Sequence, residues 1–443
     1  MTTQFKCFLI AASLLLLSAC FVVDKPFTKL PPGIWRGVLY LTENHQADQV
    51  DEKGALNKQF KFEEVSEGEL PFNFEVIYTN DTTFYIEIIN GSERVRCDSI
   101  IYALDRRIAK DTMQFHFPLY DSYIKATYEE NDLAGEWIVN TRKDYKIKFR
   151  ATYGKGYRFT DLNKTPVRNI SGHWKATFGL GEDEPYPAIA EFEQKGNDLS
   201  GTFRTETGDF RFLQGTVQKD KFYLSCFDGI HAYLFEGKMM LDSSLTGIYR
   251  SGSHYRGLWG ATRDPDSKLQ DPGNITHVSN PEKPVEFQFL SSKGKLVNLN
   301  DSKFAGKAKI IQIMGTWCPN CLDEIRFMNE YFKAHPMPDV ERIAIAFEKY
   351  PDTIKVLNHL EKYKEKLDLN YDLLFGGQSG SKNAGLALPF LDKINSFPTT
   401  LFLDKNNRVV YIHSGFDGPA TSEFKSYQSK FEQVLRDIQA SRK

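Results

Sequence analysis

The sequence predicts a multidomain chain: two tandem antiparallel β units, sandwich-like or barrel-like, followed by an α/β domain. Three observations carry that reading. A length of 443 residues allows about three domains at roughly 150 residues each, every one large enough to bury its own core. Aromatic residues make up 14%, with 34 Phe and 21 Tyr, a composition that suits half-buried pleated sheets whose rings pack across strands. The hydrophobic pattern then changes from strand after strand to alternating strands and helices beyond residue 284. Charge is uninformative about partners: 56 Lys plus Arg nearly balance 58 Asp plus Glu, so no global field draws the chain to nucleic acid.

Residues 1–19 read as a signal peptide, with Lys6, an apolar run from Phe8 to Leu17 too short to span a bilayer, and small residues Ser18 and Ala19. The ending Leu17-Ser18-Ala19-Cys20 resembles the lipobox of bacterial lipoproteins. That resemblance implies lipid on Cys20, a tether over 20–32, and a mature protein anchored in the cell envelope facing the periplasm, in either membrane. An ordinary signal peptide with a chance cysteine is the alternative. Beyond Cys20 only Cys97, Cys226, Cys318 and Cys321 remain, too few for a disulfide-stapled scaffold.

Between Gly33 and Arg263 period-two alternation recurs. Tyr145, Ile147, Phe149, Ala151 and Tyr153 alternate with Lys146, Lys148, Arg150 and Thr152, as in a strand with one wet face. Short motifs repeat: Gly33-Ile34-Trp35-Arg36 is echoed by Gly172-His173-Trp174-Lys175, and Tyr145-x-x-x-Phe149-x-Ala151-Thr152 by Tyr255-x-x-x-Trp259-x-Ala261-Thr262. The spacing is too long for a solenoid and fits a duplicated small domain, so we expect one unit over 33–160 and a second over 167–264. Cys97 and Cys226 read first as buried small hydrophobes, with a disulfide between the units as the alternative.

Residues 265–284 form a polar stretch containing Pro265, Pro272, Pro281 and Pro284 and are expected to be a linker. Within 285–443 the pattern predicts an entry hairpin, a buried strand over 309–314, a helix over 319–334, a strand over 342–347 and a helix over 352–367. Strands over 371–374, 399–404 and 409–412 follow, and an amphipathic helix over 421–440 closes the domain.

The segment Gly315-Thr316-Trp317-Cys318-Pro319-Asn320-Cys321 falls at a strand-to-helix junction. Unpaired N–H groups and the positive end of the helix dipole favour a thiolate at Cys318, which makes it the attacking sulfur. Cys321, one turn on, is placed to resolve a mixed disulfide. A zinc site would need a second ligand pair; His335 and His359 do not supply one. The redox group is then the cysteine pair itself, with no metal and no separate cofactor.

With these motifs in place, residues 285–443 resemble the extracytoplasmic thioredoxin-like disulfide reductases of the TlpA/ResA type, relatives of the redoxins. The matching parts are the strand before the motif, Trp317 to Cys321, Glu324, and the run Phe397-Pro398-Thr399-Thr400-Leu401-Phe402. The resemblance implies a thioredoxin-like fold, a cis Pro398 facing the cysteines, and a substrate received along Phe397 and Thr399. It also implies that Trp317, Pro319 and Glu324 support the pair. The expected partners are a disulfide-containing protein substrate and a membrane thiol-reductant donor. Glu324 is otherwise a solvated first-turn glutamate. Two departures stand out: Gln312 occupies the place where thioredoxins carry an aspartate, and Asn320, not proline, precedes Cys321. The direction of exchange is left open by these changes.

Glu348 and His413 are expected on loops at the same rim, where they would either touch substrate or be ordinary exposed charges. The leading function is an anchored thiol-disulfide oxidoreductase, reducing protein disulfides. A ligand- or protein-binding lipoprotein with an auxiliary thioredoxin domain remains an alternative. A peroxiredoxin-like peroxidase is disfavoured, because Gly315 and Ile311 stand where that family has Thr and Pro.

Overall fold

The computed structural model describes residues 29–42, 65–107 and 109–440. The signal segment, Cys20 and most of the tether lie outside the described residues. No described helix is long and apolar enough to cross a membrane.

The first unit contains β1 (Gly33–Tyr40), β2 (Glu69–Tyr78), β3 (Phe84–Asn90), β4 (Glu93–Cys97), β5 (Ser99–Asp105), β6 (Lys110–Phe117), β7 (Ser122–Glu129), β8 (Asp132–Val139) and β9 (Lys146–Tyr153). They form one antiparallel sheet in the order β4-β3-β2-β1-β9-β8-β7-β6-β5. Because β1 pairs with both β2 and β9, the meander curls into a barrel that stays open only between β4 and β5. Ile147, Phe149 and Ala151 point inward and Lys146, Lys148 and Arg150 outward, as their alternation predicts.

The second unit contains β10 (Gly172–Phe178), β11 (Tyr186–Lys195), β12 (Asp198–Thr205), β13 (Gly208–Asp209), β14 (Leu213–Gln218), β15 (Lys221–Phe227), β16 (Ala232–Met239), β17 (Leu245–Ser251) and β18 (Tyr255–Arg263). The order β11-β10-β18-β17-β16-β15-β14-β12, with a further β11–β12 pairing, closes it into a barrel. Closure removes the sheet edges. The β12–β13 pairing is a small ribbon projecting from the wall.

The repeated motifs occupy equivalent places. Trp35 Nε1 donates to Pro31 O and Trp174 Nε1 to Ile170 O, each reaching four residues back. In register, Gly37 faces Ala151 in the first unit and Ala176 faces Ala261 in the second. Cys97 and Cys226 are buried free thiols; burial pushes the Cys97 thiol up to about 12, so these cysteines are inert packing residues.

The units are not beads on a string. Arg158, between them, is buried and donates to Ser225 Oγ and Ser225 O of the second barrel and to Ile89 O and Asn90 Oδ1 of the first. The expected linker is likewise docked: Ile275 and Thr276 are buried, Ser414 Oγ donates to Thr276 Oγ1 (2.9 Å), and Val278 bridges to Leu391. It forms a single 3-10 turn at Pro272–Asn274 and no long element, yet it is not left in solvent.

The C-terminal domain contains β19 (Gln288–Ser291), β20 (Leu296–Asn298), β21 (Ala308–Met314), β22 (Val340–Glu348), β23 (Asp372–Gln378), β24 (Thr399–Leu403) and β25 (Val409–Ser414). Its helices are α1 (Pro319–Ala334), α2 (Thr353–Lys366), α3 (Ser381–Ala387) and α4 (Phe424–Ala440). The sheet order is β20-β19-β23-β22-β21-β24-β25, with β21, β22 and β23 parallel and β24 antiparallel to β21. Every β21 residue is buried, as a strand covered on both faces requires. Short α3 has too few turns to leave a periodic signal in the sequence, and the pattern did not predict it.

Candidate active site

Cys318 is the N-cap of α1, in extended conformation, and Pro319 follows at the first helical position, where a missing N–H costs nothing. The Cys321 N–H donates to Cys318 Sγ (3.2 Å), so the helix start supplies the sulfur with a backbone donor. Cys318 Sγ in turn donates to the Phe397 carbonyl (3.2 Å), and the Phe397–Pro398 bond is cis, as the resemblance implied. Both cysteines are free thiols. Burial, followed by the neighbouring Cys318 and the charge of Glu324, pushes the Cys321 thiol well above the ordinary range.

Glu324 is fully buried, not the solvated first-turn residue that was its alternative reading. Its carboxylate accepts from Gln312 Nε2 (2.6 Å), Thr400 Oγ1 (2.8 Å) and Tyr427 OH (2.7 Å). Burial raises its pKa, and these donors partly offset the rise. Gln312 also donates to the Cys321 carbonyl (3.2 Å). The residue standing in for the thioredoxin aspartate therefore serves as a donor to the glutamate.

The expectation for Glu348 and His413 is corrected: neither sits on an exposed loop. Glu348 ends β22, is 1% exposed, and accepts from Thr316 N and Thr316 Oγ1 (2.8 Å each). The Thr316 hydroxyl thus spends its hydrogen on Glu348 and accepts from His359 Nε2 (3.0 Å). Burial pushes Glu348 up to about 7. His413 lies within β25 and packs edge-on to Tyr427; burial holds it down to about 4. Both were misplaced because β22 and β25 run one to two residues past the apolar stretch that marks them in the sequence. The Thr399 side chain is fully buried and donates to Ser396 O (2.9 Å), so it shapes the turn, and any pairing with an incoming peptide falls to the backbone beside Pro398. Phe397 is half-buried against Trp317, 5.4 Å between centroids. The Trp317 indole donates to Phe347 O (2.8 Å).

Sequence reasoning missed what covers the pair. Cys318 is 5% exposed and Cys321 0%, and residues 205–211 of the second barrel contact Asn320 between them and Ser396 beside the cis turn. Asn320 Nδ2 donates to Asp209 O (3.3 Å) and Ser396 Oγ to Thr207 O (3.0 Å). Gly208 has φ 133°, and a Cβ there would collide with the Asn320 amide. Behind this contact Arg211, 3% exposed, pairs with Glu93 of the first barrel, Asp228 of the second (3.5 Å) and Asp323 of α1 (2.5 Å). No local signal marks such a contact, since its partners lie more than a hundred residues apart in the chain.

Fold and site together define a thioredoxin-like dithiol domain capped by two β-barrels. Residues 277–430 match the family model Redoxin. The chain is 27% identical over 130 residues to "Thiol-disulfide oxidoreductase ResA" of Geobacillus kaustophilus, covering 29% of this chain and 66% of that protein. It is 30% identical over 124 residues to the protein of the same name from Bacillus cereus, covering 28% and 63%. The chain thus spans slightly less than two thirds of these relatives. A thiol:disulfide interchange protein from Chlorobium tepidum aligns at 19% identity and TM-score 0.28, covering 37% of this chain and 99% of that one. Residues 277–430 are thus similar to the redoxins, and the C-terminal third to the ResA thiol-disulfide oxidoreductases.

Proposed function

We propose that the chain is an envelope thiol-disulfide oxidoreductase that reduces protein disulfides through Cys318 and Cys321. The observation that carries this is the position of Cys318 Sγ, between the Cys321 N–H and the Phe397 carbonyl. The Cys318 thiolate attacks one sulfur of the substrate disulfide, forming a mixed disulfide and expelling one substrate thiolate. The Cys321 thiolate then attacks Cys318 Sγ, forming the Cys318–Cys321 disulfide and expelling the second. The substrate gains two electrons and two protons, and an external dithiol must return the pair to its reduced state.

Glu324 is the proton acceptor for the second step in this reading, since Cys321 is held protonated by its surroundings. The contacts of segment 205–211 with Asn320 and Ser396 support a part for the second barrel in the same reaction, as a wall of the dithiol site. Anchoring through Cys20 completes the proposal and is tested by whether Cys20→Ala leaves the membrane fraction.

Insulin reduction by the full chain, with dithiothreitol as donor, tests the chemistry. Cys318→Ser should abolish turnover. Cys321→Ser should accumulate a mixed disulfide at Cys318, detectable by mass spectrometry. Trapping by Cys318→Ser and none by Cys321→Ser would reverse the roles.

A further inference from the structure

On the Trp317 side of the cysteine pair, basic side chains from all three units lie close enough for their charges to act on one another. Arg142 comes from the turn between β8 and β9, His254 from the turn between β17 and β18, and Lys349 directly follows β22. Arg142 Nη1 donates to His254 Nδ1 (2.8 Å), and its guanidinium lies 4.9 Å from the Tyr145 ring centroid. Tyr145 OH accepts from Ser253 N (3.2 Å), so the two barrel turns are tied together. Lys349 Nζ sits 4.4 Å from the Trp317 ring centroid, one residue from Cys318.

These cations have little to neutralise them. Among the described residues neither Arg142 nor Lys349 has an ion-pair partner. Glu348 is near Lys349 but binds Thr316, and Asp228 is engaged by His231 and Arg211. Burial, then Arg142, brings Lys349 down to about 8; burial, then Arg142 and Lys349, brings His254 down to about 4. Aromatic rings hold the two cations in place, and Arg142, His254 and Lys349 all retain solvent access. A carboxylate arriving here would meet a planar guanidinium, an ammonium and an imidazole, with Glu348, already bound to Thr316, as the acid beside Lys349.

We propose that Arg142, His254 and Lys349 form an anion-recognition subsite that docks an acidic side chain flanking the disulfide of a protein substrate, setting that disulfide beside Cys318. This rests on the exchange activity proposed above, which makes the ligand part of a polypeptide.

The test uses the full chain, dithiothreitol as donor, and three synthetic peptides with one internal disulfide flanked by Glu, Gln or Lys. At low ionic strength the Glu peptide should be reduced with kcat/KM about tenfold above the Gln peptide, and the advantage should shrink at about 0.5 M salt. Arg142→Glu should reverse the order, so that the Lys peptide becomes the better substrate, a gain that misfolding cannot produce. Equal rates for all three peptides with the unaltered protein, or an Arg142→Glu variant that keeps the Glu preference, would overturn the subsite while leaving the exchange reading standing. No reduction of any peptide would overturn both.

Discussion

Glu324 shows how one buried carboxylate can serve the cysteine pair. Burial makes it hold its proton above the usual carboxylate range, and it lies close enough for its charge to act on the Cys321 thiol. Gln312 and Thr400 donate to its Oε2 and Tyr427 to its Oε1, which leaves one lone pair of Oε1 for a proton. In Glu324→Gln an amide N–H would face donors, costing about 1–3 kcal/mol of stability. Loss of the proton acceptor should slow resolution by roughly a hundredfold. Quenched-flow mass spectrometry should find a longer-lived Cys318 mixed disulfide, and unchanged lifetimes between pH 5 and 8 would leave Glu324 a structural role only. The residue was visible in the sequence through its spacing from Cys321. Its burial was not, because Thr400 and Tyr427 are 76 and 103 residues away.

Among the elements, the segment 205–211 packs on Asn320, between the two cysteines. Arg211 is the buried guanidinium that pairs with both Asp323 and Glu93 at that junction; Arg326 also reaches Asp323, at 3.7 Å and from an exposed position. Arg211→Ala should cost about 3–5 kcal/mol, the scale for breaking a buried pair. Gly208→Ala is the gentler probe: its Cβ pushes on Asn320 and should lift the segment without emptying the ion cluster. Cys318 alkylation by iodoacetamide should speed up several-fold in Gly208→Ala with the far-ultraviolet circular dichroism of the sheets retained. An unchanged rate would mean that the segment does not limit access. Strands of the barrels were legible because a wet face forces alternation, and the repeat was legible because Trp35 and Trp174 do the same job. The covering contact uses backbone carbonyls of Thr207 and Asp209, which any sequence supplies.

On the scale of the whole molecule, the junction between the second barrel and the C-terminal domain buries a carboxyl of its own. Asp209 accepts from Arg211 N and Gly418 N, yet burial pushes it up to about 7, and Glu348 shares that value. For a carboxyl raised on folding, the folded state binds the proton more tightly. The contribution is therefore complete below the unfolded value and is lost as pH rises to the folded one. Thermal melts of the unaltered protein should fall relative to Asp209→Asn as pH goes from 5 to 8, with Glu348→Gln removing a second part of the slope. A constant difference across that range would refute the assignment. Asp228, brought down to about 2 by His231 and Arg211 against its burial, acts only in stronger acid and leaves this window clear. The covered cysteine pair has one last consequence. With the two cysteines 5% and 0% exposed, stray oxidants would meet the dithiol only as often as barrel and domain part, so the rate of that breathing would cap electron leakage. The protein would then be throttled by a gate that opens at its own frequency, however reactive the sulfur behind it.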